Sequence, residues 1–131
     1  MTVEERIRGL YARFMSGDMD ETVELVDPDI VVVDAQDLPG SQTYRGRAAV
    51  AGALRELHEM FNGPTIDIQD LRVGHDQAVA LLRVHGRGQS GGVPIDADIA
   101  HVFRVRDDSI VEMLVFLDHA SALAEAGFQS E

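Results

Sequence analysis

The chain has 131 residues, 45% hydrophobic and 26% charged, with a formal net charge of −12. It holds no cysteine, and all 11 basic residues are arginine. Disulfides, thiolate nucleophiles, cysteine zinc sites and lysine Schiff bases are thereby excluded. Length and balance fit one globular domain, residues 1–131, with its own hydrophobic core. So acidic a surface repels phosphate backbones, and nucleic acid is not an expected partner. No apolar run approaches the ~20 residues of a membrane helix. The acidic start, "MTVEERIRGL", is unlike a secretory signal, so the expected location is the cytoplasm.

The first element is helical. Thr2 and Glu5 form a T-x-x-E capping box, and Ile7, Leu10, Tyr11 and Phe14 follow at helical spacing until Ser16-Gly17. Asp18 and Glu21 open a second short helix through Leu25, ended near Pro28. "DIVVVD", residues 29–34, is β-branched and reads as a strand. A loop follows, in which Tyr44 is a candidate for a short pairing. A third helix runs from about Arg47 to Phe61, with Val50, Ala53, Leu54, Leu57 and Phe61 on one stripe, and "NGP" breaks it.

The pattern then changes to strands at about 65–73, 77–87, 94–106 and 109–118, joined by "GHD", "QSGG" and "RDDS". Consecutive strands with short turns predict an antiparallel meander. A short helix over 119–126, ended by Gly127, completes the chain. The order is α-α-β-α-β-β-β-β plus that last helix. Segregated elements predict an α+β fold, with helices packed on one face of a curved antiparallel sheet.

Two strands raise questions. In "DADIAHVFRV", residues 96–105, His101 stands in an otherwise apolar row of Ala97, Ile99, Phe103 and Val105. Buried there, the imidazole needs a partner, with Tyr11 or Asp34 as candidates. In "SIVEMLVFLD", residues 109–118, both faces are apolar. Such a strand is covered on both sides. Helices cover one side, and the expected cover for the other is a second subunit, a homodimer through the sheet.

"LYARFMSGDMDETVELVDPDIVVVD", "YRGRAAVAGAL" and "HVFRVRDDSIVEMLVFLDHASALAEAG" together resemble the SnoaL-like branch of the nuclear transport factor 2-like superfamily. That superfamily includes steroid isomerases, polyketide cyclases, epoxide hydrolases, dehydratases and non-enzymes, so the resemblance implies the cone fold more than any one activity. It implies a deep pocket between helices and sheet. Val79, Leu81, Arg83 and His85 would look into it, with every second residue from Ala97 to Val105 and from Val111 to Leu117. Candidate lining residues are thus Phe103, Met113, Val115 and Leu117, with Tyr11 and Phe14 from the first helix.

Asp34 ends its strand where the ketosteroid isomerases of this superfamily hold a proton-shuttling aspartate, and is the candidate base. An aspartate there can equally begin a turn. His101 falls where those isomerases place a proton-donating acid, and is the candidate donor or oxyanion partner. Phe14 stands at their tyrosine, and Tyr11, one turn earlier, offers a displaced hydroxyl or belongs to the core or the pocket lining. Arg83-x-His85 resembles the Arg-x-Asp element of limonene-epoxide hydrolases, but His85 and Val115 occupy the two aspartate places, which disfavours a hydrolase. Arg83 could bind an anionic substrate, pair with Asp34 or, in the other register, leave the pocket together with His85. His85 and His101 could face each other across neighbouring strands, but no spacing supports a metal site, and neither metal nor cofactor is expected. His58, His75 and His119 read as surface residues. "GRGQSGG" precedes no helix and reads as a hairpin end, not a nucleotide loop. The implied function is cofactor-free isomerisation, cyclisation or dehydration of a hydrophobic oxygenated ring compound. The alternative is a non-catalytic ligand-binding or dimerisation module.

Overall fold

The computed structural model describes residues 1–35, 38–87 and 94–128. The "QSGG" turn and most of "GRGQSGG" lie outside them. The element order is α1 (Val3–Ser16), α2 (Met19–Val23), β1 (Val31–Val33), β2 (Thr43–Arg45), α3 (Arg47–Met60), β3 (Thr65–Val73), β4 (Gln77–Arg87), β5 (Pro94–Arg106), β6 (Ser109–Phe116) and α4 (His119–Ala126).

Local chemistry sets the helix ends. The Thr2 hydroxyl accepts from the Glu5 N–H at 3.1 Å, and the Glu5 carboxylate accepts from the Thr2 N–H at 2.8 Å, closing the capping box of α1. Gly17, at φ +90, turns the chain out of α1. Asp118 caps α4 by accepting from the Ser121 N–H at 2.7 Å, and Gly127 ends it at φ +76.

The sheet is curved and unclosed, in the order β2-β1-β6-β5-β4-β3. β3 to β6 form the antiparallel meander. Its last turn, at Asp107 and Asp108, has φ of +52 and +62, the left-handed pair of a tight hairpin. One feature departs from the sequence expectation: β1 pairs with β6 in parallel, so the sheet is mixed. Tyr44 takes the short pairing expected of it, in β2 beside β1.

α1, α2 and α3 cover one face of the sheet. Ile7, Leu10, Tyr11 and Phe14 of α1 share a core with Ala78, Ala80 and Leu82 of β4 and Phe103 of β5. α4 covers part of the other face: Ala122, Leu123 and Ala126 pack with Val79, Leu81, Ala100 and Val102, flanked by Leu114 and Phe116. The second apolar row of β6, Leu114 and Phe116, is therefore covered in part by the chain's own helix.

Candidate functional site

The helix-facing side of the sheet carries a polar pair. The Tyr11 hydroxyl and His101 Nδ1 share a hydrogen bond of 2.7 Å between α1 and β5. Their rings are nearly parallel, 7° apart, and both meet the edge of Phe103. Tyr11 is 5% exposed, and burial pushes its hydroxyl pKa well above the ordinary value. His101 keeps a partial opening at its surface, yet the packed atoms around it strip water from the ring and push its pKa down to about 4. At neutral pH the pair is uncharged.

Asp34 follows the last residue of β1. Val33 pairs with Leu114, so Asp34 comes level with Val115, which pairs with His101. Asp34, Val115 and His101 thus lie in one row across three chain segments. The row is roughly 10 Å long, two strand spacings. The Asp34 N–H donates to the Gln42 carbonyl at 3.0 Å, and its carboxylate accepts from the Ala35 N–H at 2.9 Å, as in a turn.

Two volumes bear on the candidate site. Between helices and sheet is a cavity of about 30 Å³, lined by Leu10, Val32, Val50, Phe103 and Met113 among others. It has room for a water or two, not the deep pocket expected. A larger cleft of about 300 Å³ opens where β1 leaves β6, lined by Asp34, Val115, Phe116, Leu117, Ser121 and Glu125 among others. That volume is at the lower end of the range for small-ligand sites. The nine lining residues of this cleft do not include His101.

The expected inward set needs correction on β4. Ala78, Ala80 and Leu82 face the helices, while Val79, Leu81, Arg83 and His85 face the other way. The physical cause is period two: a one-residue difference in phase moves every side chain to the opposite face. Arg83 meets Asp96 at 2.6 Å and Asp98 at 2.9 Å, not Asp34. These hydrogen bonds raise the Arg83 pKa and hold the Asp96 carboxyl below its usual range. His85 bridges Asp67 at 3.0 Å and Asp96 at 3.1 Å. Neither residue lies on the face of Tyr11 and His101. His85 and His101 are also not opposite each other, since His85 pairs with Asp96 and His101 with Ala80. Among the described residues, no three His, Asp or Glu side chains assemble into a metal-holding group.

β5 follows the expected alternation, with Ile99, His101 and Phe103 toward the helices. On β6, Met113 faces the helix-side core, but Ile110 takes the inward place expected of Val111. A register shift between Arg104 and Val105 causes the change. Phe14 sits apart from both volumes, with His58 edge-on to it at 5.5 Å. His75 is exposed. His58 and His119 are half-buried, unlike the surface residues expected, and His119 Nε2 donates to the Leu82 carbonyl at 2.9 Å. Sequence reasoning missed the cleft residues Ser121 and Glu125. The apolar pattern Ala122, Leu123 and Ala126 was the signal that α4 docks on the sheet beside them.

A family model described as a SnoaL-like domain matches residues 7–113. The chain belongs to the SnoaL-like family. No curated protein matches it in sequence. Among solved structures, an NTF2-like protein from Burkholderia thailandensis superposes with a TM-score of 0.78 at 24% identity, over 98% of this chain and 99% of that one. A SnoaL-like polyketide cyclase from Jannaschia gives 0.76 at 16% identity, over 93% and 89%. An epoxide hydrolase/cyclase-like enzyme of pyran ring formation in the polyether salinomycin gives 0.74 at 19%, over 90% and 92%. At such identities the likeness concerns the fold. None of the described helices is long and apolar enough to cross a membrane.

Proposed function

We propose that this SnoaL-like protein binds a small hydrophobic ring compound bearing one or two oxygens and acts on it by cofactor-free acid–base chemistry. Isomerisation, cyclisation and dehydration of polyketide, terpenoid or steroid-like rings are the reactions of this type. Asp34 serves as base, taking a proton from a carbon beside a carbonyl, and His101 meets the oxygen on which charge develops. The observation that carries the reading is the uncharged Tyr11–His101 pair set in the same row as Asp34. A two-ring compound lying over Val115 has the length to reach both. The 300 Å³ cleft reaches Asp34 from the side of α4, and we take the end of β1 as the point of entry to the row. The neighbouring polyketide cyclase and cyclase-like folds accord with this substrate class.

A second reading, ligand binding without turnover, is favoured by the small interior cavity of about 30 Å³. One experiment separates the two. The wild type and Asp34→Asn are incubated with a panel of ring ketones, and freshly purified protein is inspected by native mass spectrometry for retained ligand. Turnover lost in Asp34→Asn with the fold intact supports the enzyme. Retained ligand without turnover on any ketone supports the binder. In either reading we place the protein in the cytoplasm, as a dimer through its sheet. With α4 on one half of the outer face, the second copy has to meet the charged half around Asp67, Arg83 and Asp98, which light scattering would test.

A further inference from the structure

The proton between Tyr11 and His101 can be placed in two ways. If His101 Nδ1–H donates to the phenol oxygen, the Tyr11 proton needs another acceptor. Among the described residues the hydroxyl has no hydrogen-bond partner other than His101. A buried O–H would then be left unbonded. If instead the Tyr11 O–H donates to Nδ1, that proton is bonded and the imidazole carries its own proton on Nε2. Burial keeps the phenol protonated and the imidazole neutral, so these two arrangements are the whole choice. The second leaves no buried proton unpaired. Nε2 has no hydrogen bond to a described residue, and His101 keeps part of its surface open.

We infer that Tyr11 is a positioning residue that holds His101 as the neutral Nε2–H tautomer, so that Nε2 offers a fixed hydrogen-bond donor to an acceptor oxygen of the ligand. The inference rests on the proposed ligand site and narrows it. The ligand presents a carbonyl, enolate or phenolate oxygen to His101. Tyr11 does not touch the ligand, because its one proton is committed to Nδ1. This differs from the sequence expectation that Tyr11 offers its hydroxyl to the substrate or lines the pocket. A neutral imidazole donor also needs no change of protonation state when the oxygen arrives, and hydrogen-bonds the oxygen without becoming a charged acid.

The test is nitrogen-15 NMR of the histidine rings in the full chain at pH 7. The five histidines are told apart by the signal that disappears in His101→Gln. Wild-type His101 is expected to show a protonated Nε2 and an unprotonated Nδ1. Tyr11→Phe is expected to lose that fixed pattern and show a mixture of tautomers. A protonated Nδ1 or an imidazolium in the wild type overturns the inference, and so does an unchanged tautomer in Tyr11→Phe. If Tyr11→Phe does not fold, the wild-type spectrum still decides. Addition of 2-naphthol, a two-ring oxygen acceptor, is expected to shift the Nε2 resonance of His101. Naphthol that binds and leaves that resonance unmoved overturns the donor role. Failure of naphthol to bind at all counts against the ligand site, while the tautomer spectra still decide the role of Tyr11.

Discussion

Arg83 and Asp98 pair at 2.9 Å across β4 and β5, on the side of the sheet turned away from Tyr11. Their neighbours Asp96, His85 and Asp67 complete a partly exposed ladder of charge. Such a ladder is screened by solvent and adds little to stability. Arg83→Ala is therefore expected to leave 2-naphthol binding unchanged within about twofold, since the substitution is remote from the row of Asp34 and His101. Fluorescence titration of the two proteins checks this. A large loss in affinity would return Arg83 to the site.

His101 makes stability depend on pH. Its folded pKa, about 4, lies below its ordinary 6.5, so the unfolded chain binds the extra proton first. The contribution is fully present above about pH 6.5 and is lost as pH falls toward 4. Its size is roughly 2–3 kcal/mol by pH 4.5. Urea unfolding at pH 7 and pH 4.5 should show the wild type losing more stability than His101→Gln by about that amount.

Phe103 is fully buried, under both Tyr11 and His101. Phe103→Ala is expected to cost about 3–5 kcal/mol through lost burial and an added void next to the small cavity. Chemical denaturation measures it.

Two glycines should respond in opposite directions. Gly17 ends α1 at φ +90, where an alanine is strained, so Gly17→Ala should destabilise by about 1–2 kcal/mol. Gly52 lies inside α3, and a methyl group added there would point into open space, so Gly52→Ala should stabilise by about 0.5–1 kcal/mol. Thermal melts of the two variants compare them directly.

Much of the fold was legible because local signals agreed with it. The Thr2–Glu5 box, the Gly17 and Gly127 stops and the alternation of β5 each have one structural meaning. On β5, Asp96 and Asp98 mark the outer face, so His101 had to point inward. On β4 the mark is present too: Gln77, Arg83, His85 and Arg87 share the face of Val79 and Leu81, opposite Ala78, Ala80 and Leu82. The resemblance, not the alternation, assigned Arg83 and His85 to the pocket, because the buried middle of the strand, residues 78–82, is apolar on both faces. The bulge at Arg104 and Val105 and the parallel pairing of β1 with β6 are tertiary facts with no local signature. Within the site, Tyr11 was one of two partners named for His101. The cleft depends on where β1 ends and α4 docks, which no single segment encodes.

Tyr11 and His101 meet across 90 positions of sequence. The helix that carries Tyr11 also carries Ile7, Leu10 and Phe14, and their partners on the sheet come from β4 and β5. During synthesis that apolar stripe waits for its cover, on the order of ten seconds at ribosomal speed. Closing so long a loop also slows the search for the native pairing. The polar pair is thus among the last features the nascent chain can acquire, and until it forms, the exposed stripe of α1 is the segment most open to chaperones and to aggregation.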